Sequence, residues 1–359
     1  MDVTRLRAEF PVLSQLAYLN AGTDGPLPER AVRASAEELE RELRDGRSKE
    51  HFERRGELSH ALREAYARVL GCDTRDVALT TSATEGIGQV VSGMRLEPGD
   101  EIVTSDEEHP GLQGALAAAR EVRGAVIREV PFADVARAVG PRTRLVACSH
   151  VSWMTGALAP AELAELDVPV LLDGAQGMGA VPTDVDAIGC DAYAAAGQKW
   201  TCGPDGSGAL FVSEGLREQL AVERRGYGNL ADAGEGLAAQ LHEDSRRFDS
   251  ASLSAEANAC ALAAITLLEE YGWGAIHARA AELAELFAER LAERGREPAP
   301  RGRTTLVSFT SPDAEAERAR LAETGVVVRN IPGRPWLRAS VGAWNNEEDL
   351  ERLLAALSP

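Results

Sequence analysis

Between residues 76 and 212, short uninterrupted apolar runs alternate with segments whose apolar residues recur at helical spacing. The runs at 76–81, 101–105, 125–130, 144–149, 168–173, 191–195 and 208–212 read as strands. Their nearly continuous apolar character is that of strands buried on both faces. Between them, 84–95, 109–122 and 160–166 read as helices. The alternation predicts an α/β fold built on a mostly parallel seven-stranded sheet flanked by helices. Ligands of such sheets sit beyond the carboxyl ends of the strands, so residues just after each strand are the first candidates for chemistry.

The flanking pattern differs. Residues 28–70 are rich in Glu, Arg, Ala and Leu and read as helices, the second stopped by Gly71. After about residue 250, helical patterns at 254–271 and 274–295 lead to the linker EPAPRGR. Strands at 304–309, 325–329 and 336–341 follow, with helices at 313–323 and 346–357. This predicts a large domain over 16–252 and a small α+β domain over 253–359, with 1–15 packing against the small domain.

Composition narrows the function. The 359 residues carry a formal net charge of −19, which would repel nucleic-acid phosphates and anionic lipid. The expected partner is a small molecule, with no nucleic acid and no membrane. No apolar stretch approaches the roughly 20 residues of a membrane-spanning helix, and the charged start MDVTRLRAEFPVL is not expected to act as a secretory signal. Five scattered cysteines without CxxC spacing argue against a disulfide framework or a zinc site and suit a reducing cytoplasm. The basic residues are nearly all arginine; Lys49 and Lys199 are the two lysines.

Five constellations could carry chemistry. TTSATEG (80–86) lies at a strand-to-helix junction, where free amides and the helix dipole favour an anion; a simple N-cap is the alternative. Asp173, ending a strand in LLDGAQGMG, could hold a cationic ring nitrogen or merely cap a turn. Lys199, in AGQKWTCGPDGSGALFV, could form a Schiff base with an aldehyde. A surface lysine is the usual alternative, weakened here because the chain uses arginine almost wherever a positive charge suffices. His109, in SDEEHPGLQG, could stack on an aromatic group, shuttle protons or cap a helix. His150, in CSHVSW, reads as structural. Arg329 and Arg338 fall on adjacent predicted strands and could grip one carboxylate, unless both make surface ion pairs.

The order of these signals resembles that of fold-type-I enzymes dependent on pyridoxal 5′-phosphate (PLP), and more narrowly the class V aminotransferase family. That family includes cysteine desulfurases, kynureninase and isopenicillin-N epimerase. The resemblance runs from YLNAGTDGPLP (18–28) to RASVGAWNNEEDL (338–350), with DGAQ at 173–176 and GQKW around Lys199 the specific part. It implies that Lys199 carries the cofactor, Asp173 bonds its ring nitrogen, Gln176 its phenolic oxygen, and His109 stacks on the ring. Thr84, the amides of Ser82 and Ala83, and Gln198 would bind phosphate. Ser252, in FDSASLS, matches a position that reaches the phosphate from a neighbouring subunit, which implies a homodimer with shared active sites. Arg338 matches the α-carboxylate arginine, with Asn20, Ala21 and Gly22 closing the substrate pocket.

The departures bear on the reaction. Cysteine desulfurases carry a nucleophilic cysteine on a mobile loop before the final RAS motif; here that segment is RNIPGRPW (329–336), short and without Cys. The family's SN after the fourth strand is Ser152–Trp153, and the serine before the lysine motif is Ala196. EHPG, SHVSWMTG and the short VVVRN…LRAS are most similar to the cysteine and cystine C–S lyases, which use both arginines for the substrate carboxylate. The resemblance therefore implies α,β-elimination, with Lys199 as base at Cα. Transamination with the same residues is the alternative, and a non-catalytic ligand-binding protein of this fold a third reading.

Overall fold

The structure, a computed structural model, describes residues 1–357. Helix α1 (Val3–Ala8) and strand β1 (Ala17–Tyr18) precede two long helices, α2 (Glu29–Asp45) and α3 (Lys49–Leu70). Gly71 ends α3 in the left-handed conformation (φ 68°), the backbone state glycine tolerates best. The alternating part then runs β2 (Val77–Thr80), α4 (Ala83–Gly93), β3 (Glu101–Ser105), α5 (Pro110–Arg123), β4 (Val126–Val130), β5 (Thr143–Ser149), β6 (Val170–Asp173), α6 (Val185–Ile188), β7 (Ala192–Ala196) and β8 (Gly208–Val212).

The seven strands β2 to β8 form one sheet in the order β2-β8-β7-β6-β5-β3-β4, in which only β8 runs antiparallel to its neighbours. Alternate residues supply two cores. Val103, Val146, Leu172 and Tyr193 face α3 and its neighbours, whereas Ile102, Leu145, Leu171 and Ala192 face α4 and α5. The strand β4 lies at the edge and carries Arg128 and Glu129 on exposed or half-exposed positions, which discourages further strand pairing. Residues 160–166 form only a short 3₁₀ turn, Ala161–Glu165, where a helix was expected. Pro160 on one side and Pro169 on the other leave too little chain for a stable helix.

Beyond the short helix α7 (Glu214–Gln219), α8 (Ala255–Tyr271) packs on α2 and α3, and α9 (Trp273–Glu293) leads to the last unit. That unit comprises β9 (Leu306–Thr310), α10 (Ala314–Glu323), β10 (Val326–Val327), β11 (Arg329–Ile331), β12 (Trp336–Ser340) and α11 (Glu347–Ala356). The run expected as one strand at 325–329 is divided. Val326 and Val327 pair in parallel with β1, and after Val328 the chain turns into an antiparallel hairpin, β11 to β12, that continues into β9. The division matters for function, because it sets Arg329 directly opposite Arg338. A bidentate ion pair ties the ends of the chain together: Arg7 Nη1 and Nη2 donate to the two carboxylate oxygens of the buried Asp349 at 2.7 and 2.9 Å.

Candidate active site

A cavity of ≈ 210 Å³ opens at the carboxyl ends of the sheet strands, beside the β11–β12 hairpin. Its wall includes Ser82, Ala83 and Thr84 from the start of α4, His109 from the start of α5, and Asp173 from the end of β6. Gln198 and Lys199 follow β7, and Arg329 and Arg338 come from the hairpin. Gly22 and Thr23, from the loop after β1, complete it, so residues more than 300 positions apart in the chain meet in one place.

Each wall element has a local reason. Ser82 caps α4 by accepting the Glu85 N–H at 3.1 Å. The amides of Ala83 and Thr84, in the first turn, have no acceptor within the helix and are available to an anion. The capped helix start thus leaves the amides expected to meet an anion free, so the two readings do not exclude each other. His109 is likewise both a cap and a wall: Nδ1 accepts the Gly111 N–H at 3.1 Å, and the ring meets Trp153 edge-on with centroids 5.1 Å apart. Burial, with Lys199 and the two arginines adding to it, pushes the His109 pKa down to about 4. The ring is neutral near pH 7, with its hydrogen on Nε2.

Asp173 accepts the Ala175 N–H at 2.9 Å, which fixes its carboxyl at the strand end. Burial raises its pKa, opposed by Lys199. The Gln176 amide donates to the Gly22 carbonyl (2.7 Å) and accepts the Trp200 indole N–H (3.0 Å), so one of its two N–H groups is left for a ligand.

Lys199 sits in a tightly wound loop. Gly203 N–H and the Thr201 hydroxyl both donate to the Gly197 carbonyl, at 2.9 and 2.7 Å, and Gly25 N–H donates to the Gln198 carbonyl at 2.7 Å. A Cβ on Gly25 would come within 2.0 Å of the Lys199 carbonyl oxygen, so the approach of the two segments requires glycine. Cys202 completes the turn at φ 55° and, among the described residues, is the only non-glycine in the left-handed region. Its thiol is buried and its pKa raised by burial, so it packs as an inert core residue. Burial lowers the Lys199 pKa to about 8; Arg338 and Arg329 act in the same direction, and Asp173 and Asp24 oppose them. The other lysine, Lys49, is exposed and paired with Glu53 at 3.0 Å.

Arg338 is 1% exposed and donates to the Trp153 carbonyl at 2.7 Å. Burial, and Arg329 beside it, draw its pKa down to about 9. Gly22 also lines the cavity, and a Cβ there would meet Arg338 Nη2 at 2.9 Å and Ser340 Oγ at 2.8 Å. Asn20 and Ala21, expected beside Gly22 at the pocket, do not line the cavity; Ala21 is in the core and Asn20 bonds the Thr23 hydroxyl. Ser252 is exposed and away from the cavity of its own chain. His150 is buried on Tyr193 (Nδ1 to hydroxyl 2.9 Å) and also lies off the cavity, a structural residue as expected.

Three residues near the site escaped sequence reasoning. Trp153 was visible as a departure from the family's SN and as part of SHVSWMTG, with no role assigned to it. Thr23 was visible only as a neighbour of residues already singled out. Glu108 is buried with both oxygens held, one by the Ser105 hydroxyl and one by the Ser149 hydroxyl at 2.6 Å, so it ties the ends of β3 and β5 beside His109. Burial raises its pKa to about 7.

The cavity therefore offers an anion site at a helix start, a carboxyl for a cationic ring nitrogen, a buried amine for an aldehyde, and two guanidiniums for a carboxylate. The model of the family described as aminotransferase class-V matches residues 17–353. An isopenicillin N epimerase of Streptomyces clavuligerus is 31% identical, with 94% of this chain and 93% of that protein covered. A probable cysteine desulfurase of Pseudomonas aeruginosa is 32% identical, over 98% and 96% of the two chains. Among solved structures, the cystine C–S lyase C-DES in complex with its product cysteine persulfide superposes with a TM-score of 0.90 at 28% identity, covering 96% of this chain and 98% of that one. A C-DES variant with glycine covalently linked to its PLP cofactor gives 0.91 at 28% identity, over 97% and 98%. A match over nearly the whole length, on a fold-type-I framework, leaves one conclusion: the chain belongs to the class-V aminotransferase family.

Proposed function

We propose that this PLP-dependent enzyme is a C–S lyase, which eliminates a sulfur leaving group from Cβ of an α-amino acid such as L-cystine. The observation that carries the reading is the β11–β12 hairpin. It brings Arg329 and Arg338 face to face at the cavity and joins them through a short turn with no cysteine to receive sulfur.

The residues present fit the cofactor. The Ala83 and Thr84 amides at the start of α4 suit its phosphate, and Gln198, whose buried amide oxygen has no partner among the described residues, lies beside them in the wall. Asp173 suits the ring nitrogen, Gln176 the phenolic oxygen, His109 the ring face, and Lys199 the aldehyde carbon. Bound there, PLP supplies an electron sink that makes the substrate Cα–H acidic.

The chain's own residues supply the remainder. Arg338 and Arg329 hold the substrate carboxylate, which fixes the Cα–H bond relative to Lys199. Neutral Lys199 Nζ takes the Cα proton. The Cβ–S bond then breaks with its electron pair leaving on sulfur, and water completes hydrolysis to a keto acid and ammonia. Asp173, kept dry by burial, holds a proton on the ring nitrogen throughout. No cysteine is among the residues lining the cavity, and the Cys202 thiol of the Lys199 loop is buried behind it, which favours release of the sulfur product over transfer to the protein.

We place the enzyme in the cytoplasm as a homodimer, with Ser252 reaching the phosphate site of the second subunit. Its exposed position, away from its own cavity, supports that reading, as do the five unpaired thiols. Among the described residues no helix is long and apolar enough to cross a membrane.

Because Lys199 must be neutral to act as base, and burial draws its pKa to about 8, proton removal is expected to fall about tenfold per unit as pH drops below 8 and to level off above it. Single-turnover rates with Cα-deuterated substrate between pH 6 and 9.5 measure this; a flat profile would remove Lys199 as the base. The function itself is tested by keto-acid release from L-cystine without an amino acceptor.

A further inference from the structure

The loop after β1 folds back on itself: Thr23 N–H and Asp24 N–H both donate to the Asn20 carbonyl, at 2.8 and 3.2 Å. The turn presents Gly22 and Thr23 to the cavity, and Gly22 has no side chain, so Thr23 supplies the turn's one side chain there. Its hydroxyl donates to Asn20 Oδ1 at 2.8 Å. That commits its single proton, and its lone pairs remain free to accept. Two long contacts reach them: Arg329 Nη1 at 3.4 Å and Arg338 Nη2 at 3.5 Å.

This arrangement addresses a physical problem. Arg329 and Arg338 are directly opposed across an antiparallel pair, and like charges in that relation repel. Arg338 is held on one side by the Trp153 carbonyl at 2.7 Å, which fixes Nη1 and leaves Nη2 to be placed. Arg329 is only half-buried, so packing constrains its guanidinium less than that of Arg338. A neutral oxygen accepting from both guanidiniums at once holds them converged before any carboxylate arrives.

We propose that Thr23 is the positioning residue of the carboxylate site, and that Asn20 acts through it by orienting the hydroxyl. Preorganisation of this kind lowers the ordering cost of binding, so its loss weakens ground-state affinity more than the chemical step. The proposal rests on the reading of the arginine pair as the substrate-carboxylate site.

The test compares Thr23→Val, which keeps the shape and removes the lone pairs, with Thr23→Ser, which keeps the hydroxyl. Two readouts are taken on the holoenzyme: KM and kcat for L-cystine, and the Kd of glycine from the change in cofactor absorbance. Glycine has an amine and a carboxylate but no leaving group. For Thr23→Val, KM and the glycine Kd are expected to rise about tenfold, the size of a modest hydrogen bond to a charged group, with kcat within about twofold of the parent. Thr23→Ser is expected to restore both. Unchanged Kd and KM in Thr23→Val, a loss confined to kcat, or a Thr23→Ser enzyme as weak as Thr23→Val would each overturn the proposal. Circular dichroism and cofactor content establish that the variants are folded and loaded. Arg338→Ala, titrated with glycine in parallel, separates the two levels. If it binds glycine normally the carboxylate reading itself fails; if it weakens binding while Thr23→Val does not, only the role of Thr23 fails.

Discussion

Lys199→Ala is expected to lose keto-acid production by at least about 10³-fold and to lack the visible absorption band of lysine-bound cofactor. The size of the effect follows from the double duty of one amine, which anchors the cofactor and takes the Cα proton. No other side chain can substitute. Lys49 is exposed and engaged with Glu53, and His109, the nearest imidazole on the wall, spends Nδ1 on capping α5. The variant should fold, because truncation removes a desolvated amine and leaves the backbone bonds of the 197–203 loop in place. Full activity in Lys199→Ala would dismiss the PLP mechanism, whereas retention of cofactor by the phosphate and ring contacts alone would not.

Arg338→Ala is expected to lower kcat/KM for L-cystine by about 10²- to 10³-fold, in keeping with the 2–5 kcal/mol typical of truncating one partner of a buried charged hydrogen bond. Most of the loss should appear in KM. The guanidinium is buried, its Nη1 is held by the Trp153 carbonyl, and its cost of burial is repaid only when a carboxylate arrives. Arg329→Ala should lose less, because its side chain is half-buried and more easily replaced by water. Equal and small effects of both substitutions in steady-state kinetics would move the substrate carboxylate elsewhere.

The central sheet was legible because its strands are buried on both faces, so runs such as VLLD and GALFV stand out without a polar alternation to blur them. The 160–166 segment was misleading for the opposite reason. Ala, Glu and Leu favour a helix by propensity, but the prolines that bound the segment allow one 3₁₀ turn. The division of 325–331 between two sheets was illegible, since three valines in a row fit either pairing and only tertiary contacts choose. In the site, the residues at strand ends and helix starts were readable from position and type: Asp173, Lys199, Thr84 and His109 all line the cavity. Thr23 was not readable, because its part depends on a meeting with residues more than 300 positions away. Asn20 was singled out, yet its side chain turns to Thr23 and away from the cavity, a distinction that motif order does not carry.

Elimination at Cβ is tested most directly by pyruvate and ammonia release from L-cystine by the PLP-loaded enzyme with no amino acceptor present. Sustained, equimolar production of both over many turnovers is the predicted result. A single stoichiometric turnover that stops with the cofactor converted to pyridoxamine phosphate would contradict it and make the enzyme an aminotransferase.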